Sequence, residues 1–123
     1  MSITYQEERG KALTTADNQL HLTSPLIVNP DSVVGVDLYV FARGPSGVGA
    51  IWHILALLER IGSANPTVAQ KSVGQMHDPQ AVWQADLVAS GGLIQVQVRG
   101  AQGVSVDWQV IGTVTAFRPS VTG

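Results

Sequence analysis

Three histidines are candidates for binding a metal or transferring a proton: His21, His53 and His77. They lie far apart in the sequence, and none has a second histidine or a carboxylate at a ligand-like spacing on one element. His77 and Asp78 are adjacent, but neighbours on a strand point to opposite faces. The sequence therefore predicts no metal site and no cofactor.

The carboxylates and serines lack the arrangements that acid–base and nucleophilic catalysis require. Glycosidases need two carboxylates that converge across a cleft, and only Asp86 and Asp107 could approach each other across strands. Neither Ser46 in GPSGVG nor Ser63 in GSANP lies in a G-x-S-x-G motif, and GPSGVGA lacks the lysine of a phosphate-binding loop. We therefore predict that the protein is not an enzyme.

Tryptophan side chains stack on sugars when they are exposed. Trp52, Trp83 and Trp108 each fall on the apolar side of a segment in which apolar and polar residues alternate. We therefore expect all three to pack in the core rather than to bind a carbohydrate.

The segments that carry these residues show the period-two alternation of β-strands. In the second half of the chain, VWQADLVAS, a Gly-Gly turn at 91–92 and LIQVQVRG predict a hairpin. The turn AQG then leads into VSVDWQVIGTVTAF, which makes residues 83–117 a three-stranded antiparallel meander. This last strand is more than twice the usual ~5–6 residues. We expect its first part, Val104 to Val110, to be core, Gly112 to allow a bend, and Ile111 onward to face another subunit.

The first half of the chain reads as strands too. SPLIVNPDS predicts an edge strand because of its prolines, VVGVDLYVFAR predicts a second strand, and residues 67–73 have room for a short one. The segment AIWHILALLERIG is compatible with either a helix or a strand. As a strand it would place Trp52, Ile54, Ala56 and Leu58 on one side, and the strands predicted around it favour this alternative. Seven to eight strands predict an all-β antiparallel sandwich, with a jelly roll as the favoured version.

Composition favours a subunit covered by partners over a monomer of low charge. Only 13% of the residues are charged, against ~25% in typical soluble domains, while 45% are hydrophobic. Apolar residues are enriched and charged ones depleted in the cores of large interfaces. The net charge of -2 gives no basic patch for nucleic acid, and no segment is apolar enough for a signal peptide or a membrane span. We predict an N-terminal arm at 1–23, a sandwich domain at 24–118 and a C-terminal tail at 119–123.

The order and spacing of several segments resemble small virion proteins of tailed bacteriophages. Over residues 48–117 these segments are IWHILALLERIGS, VWQADLVASGG, LIQVQVRG, AQG and VSVDWQVIGTVTAF, and LYVFARGPSG matches the layout before them. The chain departs from that pattern where it ends in AFRPSVTG instead of a charged dipeptide. The resemblance implies a β-sandwich virion protein without catalytic residues, located on the capsid surface after assembly in the host cytoplasm.

Two functions compete under this resemblance. A capsid cement or decoration protein would bind the major capsid protein and itself, as a homodimer or homotrimer, and stabilise the head. A tail-fibre or head-fibre module would instead bind host glycans. A polysaccharide hydrolase and a cellular carbohydrate-binding module are weaker alternatives. Apolar character in the arm, the last strand and the tail predicts the contact residues Ile3, Tyr5, Leu13, Ile111, Phe117, Arg118 and Val121.

Overall fold

Eight strands and one short 3-10 turn form the structure. The computed structural model describes residues 11–22, 26, 28–78, 82–90 and 92–117, with the backbone only at Lys11, Ala12, Ser90 and Phe117. The strands are β1 (Lys11–Thr15), β2 (Leu20–Leu22), β3 (Ser32–Arg43), β4 (Gly49–Arg60), β5 (Thr67–His77), β6 (Gln84–Ser90), β7 (Leu93–Arg99) and β8 (Val106–Phe117), and the turn is Pro45–Gly47.

The strands form two antiparallel sheets, so the predicted all-β sandwich is confirmed. The larger sheet has the order β1-β8-β3-β4-β5, and the smaller sheet has the order β2-β7-β6. The pairs β1–β8 and β2–β7 join the first strands to the last ones, as in a jelly roll. A jelly roll would divide eight strands equally, whereas here β3, β4 and β5 follow one another in the same sheet.

The predicted meander over residues 83–117 is wrong in its last strand. The β6–β7 hairpin forms as expected, with Gly92 at φ 87° in its turn. After Arg99 the chain crosses to the larger sheet, where β8 lies between β1 and β3. Each sheet has one face in the same core. The alternation of apolar and polar residues in β8 would therefore be the same in either sheet, and it does not show which sheet the strand joins.

The sandwich begins earlier in the chain than residue 24. β1 and β2 belong to the predicted arm, yet β1 pairs with β8 in the larger sheet and β2 pairs with β7 in the smaller one. In the predicted edge strand SPLIVNPDS, Leu26 forms a bridge with Ile94, and residues 24, 25 and 27 lie outside the described residues. Residues 1–10 of the arm and the whole tail at 119–123 lie outside the described residues.

Residues 50–61, which the sequence left open, form a strand over nearly their whole length. β4 pairs with β3 from Arg43↔Gly49 to Ser32↔Arg60. Trp52, Ile54 and Leu58 are buried and Ala56 packs against the same core, whereas Leu55 on the opposite side is exposed. Helix propensity is therefore overridden by pairing with strands on both sides, since β5 occupies the other edge of β4.

The core lies between the sheets and contains all three tryptophans. Trp52, Trp83 and Trp108 are 2%, 4% and 2% exposed. The rings of Trp52 and Trp108 stack at 5.5 Å, and Trp83 meets Trp108 edge-on at 6.3 Å. β8 contributes to this core along its whole length, because Val114 and Ala116 are buried as well. The expectation that only Val104 to Val110 would be core is therefore wrong.

One buried hydrogen bond fixes β1 to this cluster. Trp108 Nε1 donates to Thr15 Oγ1 at 2.9 Å, and Thr15 is itself buried. We expect Thr15→Val to lower the free energy of unfolding by about 1–3 kcal/mol, because the indole N–H then has no buried acceptor. Urea denaturation checks this, with Thr15→Ser as the control that keeps the hydroxyl. Equal losses in the two variants would contradict the assigned hydrogen bond.

Candidate binding face

The outer face of the larger sheet carries apolar side chains from four neighbouring strands, β8, β3, β4 and β5. The register of the strand pairs brings these side chains together. Tyr39 of β3 lies between Ile111 of β8 and His53 of β4. One step along, Phe41 is opposite Ile51, and Ile51 is opposite Met76. Directly opposite residues in antiparallel strands share a face and have Cβ atoms ~4.5–5.5 Å apart. The side chains therefore form one continuous surface, called the contact face below: Tyr39, Phe41, Ile51, Leu55, Met76 and Ile111.

The contact face is exposed to an extent that single surface hydrophobic residues do not explain. Met76 is 72% exposed, Leu55 47%, Tyr39 42%, Ile111 38% and Phe41 36%. Scattered exposed apolar residues are normal, but a contiguous apolar patch marks an interaction site. The larger sheet therefore offers a binding surface on the side away from the core.

The aromatic rings on this face are packed against each other. The rings of Tyr39 and His53 are nearly parallel, 3° apart, with centroids separated by 4.4 Å, and Phe41 follows Tyr39 at 6.3 Å. His53 Nε2 bonds to Asp37 Oδ1 at 2.6 Å, which holds the imidazole in this position. His53 thus stacks on one face of the Tyr39 ring, and Ile111 lies opposite Tyr39 on the other neighbouring strand. The surface presented to a partner combines aromatic and aliphatic groups.

A shallow groove borders the contact face. It has a volume of about 700 Å³ and crosses β8, β3, β4 and β5 where Gly35 leaves its floor without a side chain. Asp37, Gln70, Ser72 and Thr113 are among the groups that line it. This groove could accept hydrogen-bonding groups of a bound molecule beside the apolar surface.

The outer face of the smaller sheet has a different chemistry. The central strand β7 carries polar side chains on this face. Gln97 lies between Leu22 and Asp86, and Arg99 lies between Leu20 and Gln84. Apolar side chains occur there only towards the rim among the described residues. The two broad surfaces of the sandwich are therefore unequal, and the larger sheet carries the apolar one.

Asp86 and Asp107 take part in separate side-chain contacts. Asp86 pairs with Lys71 Nζ at 2.8 Å, and Asp107 accepts a hydrogen bond from Thr14 Oγ1 at 2.9 Å. The two aspartates that could have converged thus lie on different sheets. His21 Nε2 bonds to Asp17 Oδ1 at 2.9 Å, and this hydrogen bond is the main reason why the pKa of Asp17 lies below its ordinary value.

Within the described ranges, no three histidine, aspartate or glutamate side chains are grouped closely enough to hold a metal ion. The described part of the chain also contains no helix with the length and hydropathy of a membrane span.

The sequence-predicted contact residues are distributed unevenly. Ile111 lies on the contact face, while Leu13 is half-buried in β1, opposite Trp108 and packed against the core. Phe117 ends β8, and its side chain is not described. Ile3, Tyr5, Arg118 and Val121 lie outside the described residues.

Sequence reasoning missed most of the contact face. Its signal is present in LYVFAR and IWHIL, where the positions between the buried residues are apolar too. A strand that is apolar on both sides is covered on both sides, either by its own chain or by a partner. The His53–Asp37 bond was missed because it joins two strands whose register only the structure gives.

No protein-family model matches the chain, and no curated protein sequence matches it. Among solved structures, the chain is similar to part of the crystal structure of the Acinetobacter baumannii phage AM24 tailspike protein, with a TM-score of 0.48 and 10% sequence identity. The match covers 96% of this chain and 27% of that chain. The chain thus spans little more than a quarter of the tailspike chain, and similarity at this level does not establish a shared function.

Proposed function

We propose that the protein is a non-catalytic structural subunit of a tailed-bacteriophage particle, acting as a capsid cement or decoration protein. It binds the outer surface of the shell formed by the major capsid protein and stabilises the head. The resemblance of residues 48–117 to small virion proteins supports the assignment to a particle. The charged fraction of 13% supports a subunit that is largely covered by neighbours.

The contact face is the observation that carries this proposal. It is broad, apolar and continuous across β8, β3, β4 and β5, and its aliphatic members cannot stack on sugar rings. Burial of such a surface against another protein gives a favourable free energy that scales with the apolar area removed from water. Because these contacts form only on the assembled shell, they stabilise the shell over its dissociated parts by mass action.

A receptor-binding module that recognises host glycans is the second candidate. The groove beside the contact face favours it, because Asp37, Gln70, Ser72 and Thr113 offer the donors and acceptors that sugar hydroxyls require. The buried tryptophans and the ring packing of Tyr39 against His53 leave fewer stacking surfaces than such a site normally uses. We therefore rank it below the cement function.

The copy number in purified particles separates these functions. A decoration protein is expected in hundreds of copies per head, and a fibre protein in tens or fewer. Quantitative mass spectrometry against the major capsid protein measures this ratio. Absence of the protein from purified particles would overturn both assignments.

Substitutions in the contact face test the binding mode. We expect Phe41→Ser and Leu55→Ser each to weaken binding to heads that lack the subunit by about 30-fold, the effect of truncating a central interface residue. Leu93→Ser is the matched control, since Leu93 is 46% exposed, close to the 47% of Leu55, but lies on the smaller sheet. Co-sedimentation with heads gives the affinities. A loss with Leu93→Ser equal to that with Leu55→Ser would contradict the assignment of the face, and glycan-array binding that depends on the groove would favour the second candidate.

A further inference from the structure

The strand β5 is a long free edge of the larger sheet. It has 11 residues, pairs only with β4 among the residues that the structure describes, and is exposed at every position except Val68, which is half-buried. In an antiparallel edge strand, alternate residues direct their N–H and C=O groups away from the sheet. Such a row of unpaired groups is a template for another strand.

Over the described ranges, the other edges of the sandwich are shorter or are capped. β1 has five residues and β2 has three. On β6, Asp86 Oδ1 accepts from the backbone N–H of Leu87 at 2.8 Å, and Lys71 Nζ donates to the Leu87 carbonyl at 3.3 Å. Among the described residues, no side chain caps the backbone of β5 in this way. The free edge of β5 is therefore the one built for pairing.

Charge repulsion does not oppose the pairing of β5 with β5 of a second copy of the chain. Lys71 is the only lysine, arginine or carboxylate residue in TVAQKSVGQMH, and it is already paired with Asp86 of its own chain. The bulge between β5 and β4 at Leu57/Leu58 leaves the strand regular from Gln70 onward. An antiparallel arrangement centred on Ser72 aligns the whole strand with its own copy and places no two lysines opposite each other.

We propose that β5 pairs antiparallel with β5 of a second copy of this chain, about a two-fold axis through Ser72 and perpendicular to the sheet. In this register Gln70 lies opposite Gly74 of the second copy, and Lys71 lies opposite its Val73. The two larger sheets become one continuous sheet, and the axis keeps both contact faces on the same side. This pairing does not depend on the proposed function, because it concerns the isolated protein.

A single cysteine tests the register, since the chain has none of its own. We expect Ser72→Cys to form a disulfide-linked dimer on mild oxidation, because opposite residues bring their Cα atoms within the ~4.4–6.8 Å that a disulfide allows. Gln70→Cys is the matched control on the same face. Its two copies would lie about 14 Å apart along the paired strands and would remain unlinked. Equal cross-linking of the two variants would overturn the register.

The oligomeric state tests the pairing itself. Sedimentation equilibrium of the unmodified protein is expected to give about twice 13.0 kDa. Ser72→Lys places two lysines directly opposite each other and should raise the dimer dissociation constant about fivefold, whereas Ser72→Thr should leave it unchanged. Circular dichroism verifies that each variant is folded. A monomer at all concentrations, or a dimer insensitive to Ser72→Lys, would overturn the proposal. Either result leaves particle binding by the contact face untouched.

Discussion

Replacing Trp108 with alanine is expected to lower the free energy of unfolding by about 3–5 kcal/mol, the range for large-to-alanine changes of buried aromatic residues. Trp108 is 2% exposed, stacks on Trp52 at 5.5 Å and meets Trp83 edge-on. Its indole N–H also bonds to Thr15. One side chain thus connects β8 to β1, to β4 and to the segment before β6.

This loss is a large fraction of the total free energy of unfolding of a small domain, which is ~5–15 kcal/mol. Guanidinium denaturation followed by circular dichroism gives the difference. Trp108→Phe keeps an aromatic ring but removes the N–H, and its loss should lie between zero and that of the alanine variant. Phe41→Ala truncates an exposed aromatic residue and should change the stability by less than about 1 kcal/mol. Similar losses for Trp108→Ala and Phe41→Ala would contradict the assigned core.

The second large effect is expected at Gly112, where β8 and β3 approach closely. A Cβ atom there would lie 2.6 Å from Leu38 Cδ2 and 2.7 Å from Leu38 Cα, and it would also overlap the carbonyl oxygen of Asp37. Leu38 is fully buried and cannot move aside freely. We expect Gly112→Ala to lower the free energy of unfolding by about 1–3 kcal/mol or more, as overpacking does.

Gly35→Ala is the matched control for this prediction. Gly35 lies on β3, opposite Thr115 of β8, and the nearest atom to an added Cβ is 4.0 Å away. Alanine there should be neutral or slightly stabilising, because glycine is unfavourable in a strand interior. Thermal unfolding of both variants provides the comparison. An unchanged melting temperature for Gly112→Ala would show that the strands are not held at this spacing.

The alternation of residue types predicted which side chains enter the core. Trp83 and Leu87, Ile94 and Val98, and Trp108 all point inward as expected. Alternation reports the side of a strand, because side chains switch faces at every residue. The same rule explains why Val114 belongs to the core and Ile111 does not. The prediction that β8 changes from core to interface at Ile111 did not apply this rule to the second half of the strand.

Pairing between distant strands could not be predicted in the same way. Nothing in LIQVQVRG or VSVDWQVIGTVTAF states that the chain changes sheets between them. The contact face depends on this pairing, because Ile111 reaches Tyr39 only when β8 lies beside β3. The role of Gly112 also depends on this pairing. A glycine within a strand suggested a bend, whereas the structure shows a close approach of β8 to Leu38.

The position of β8 between β1 and β3 has a consequence for how the protein is made. β1 leaves the ribosome first, yet its partner strand is among the last residues described, with Leu13 opposite Trp108. The β3–β4–β5 meander can form early from local contacts, whereas the pairing of chain ends is slow because it closes a very long loop. We therefore expect the contact face to be completed only when β8 inserts between β1 and β3. We expect a chain interrupted before Val106 to remain aggregation-prone and to lack the complete contact face.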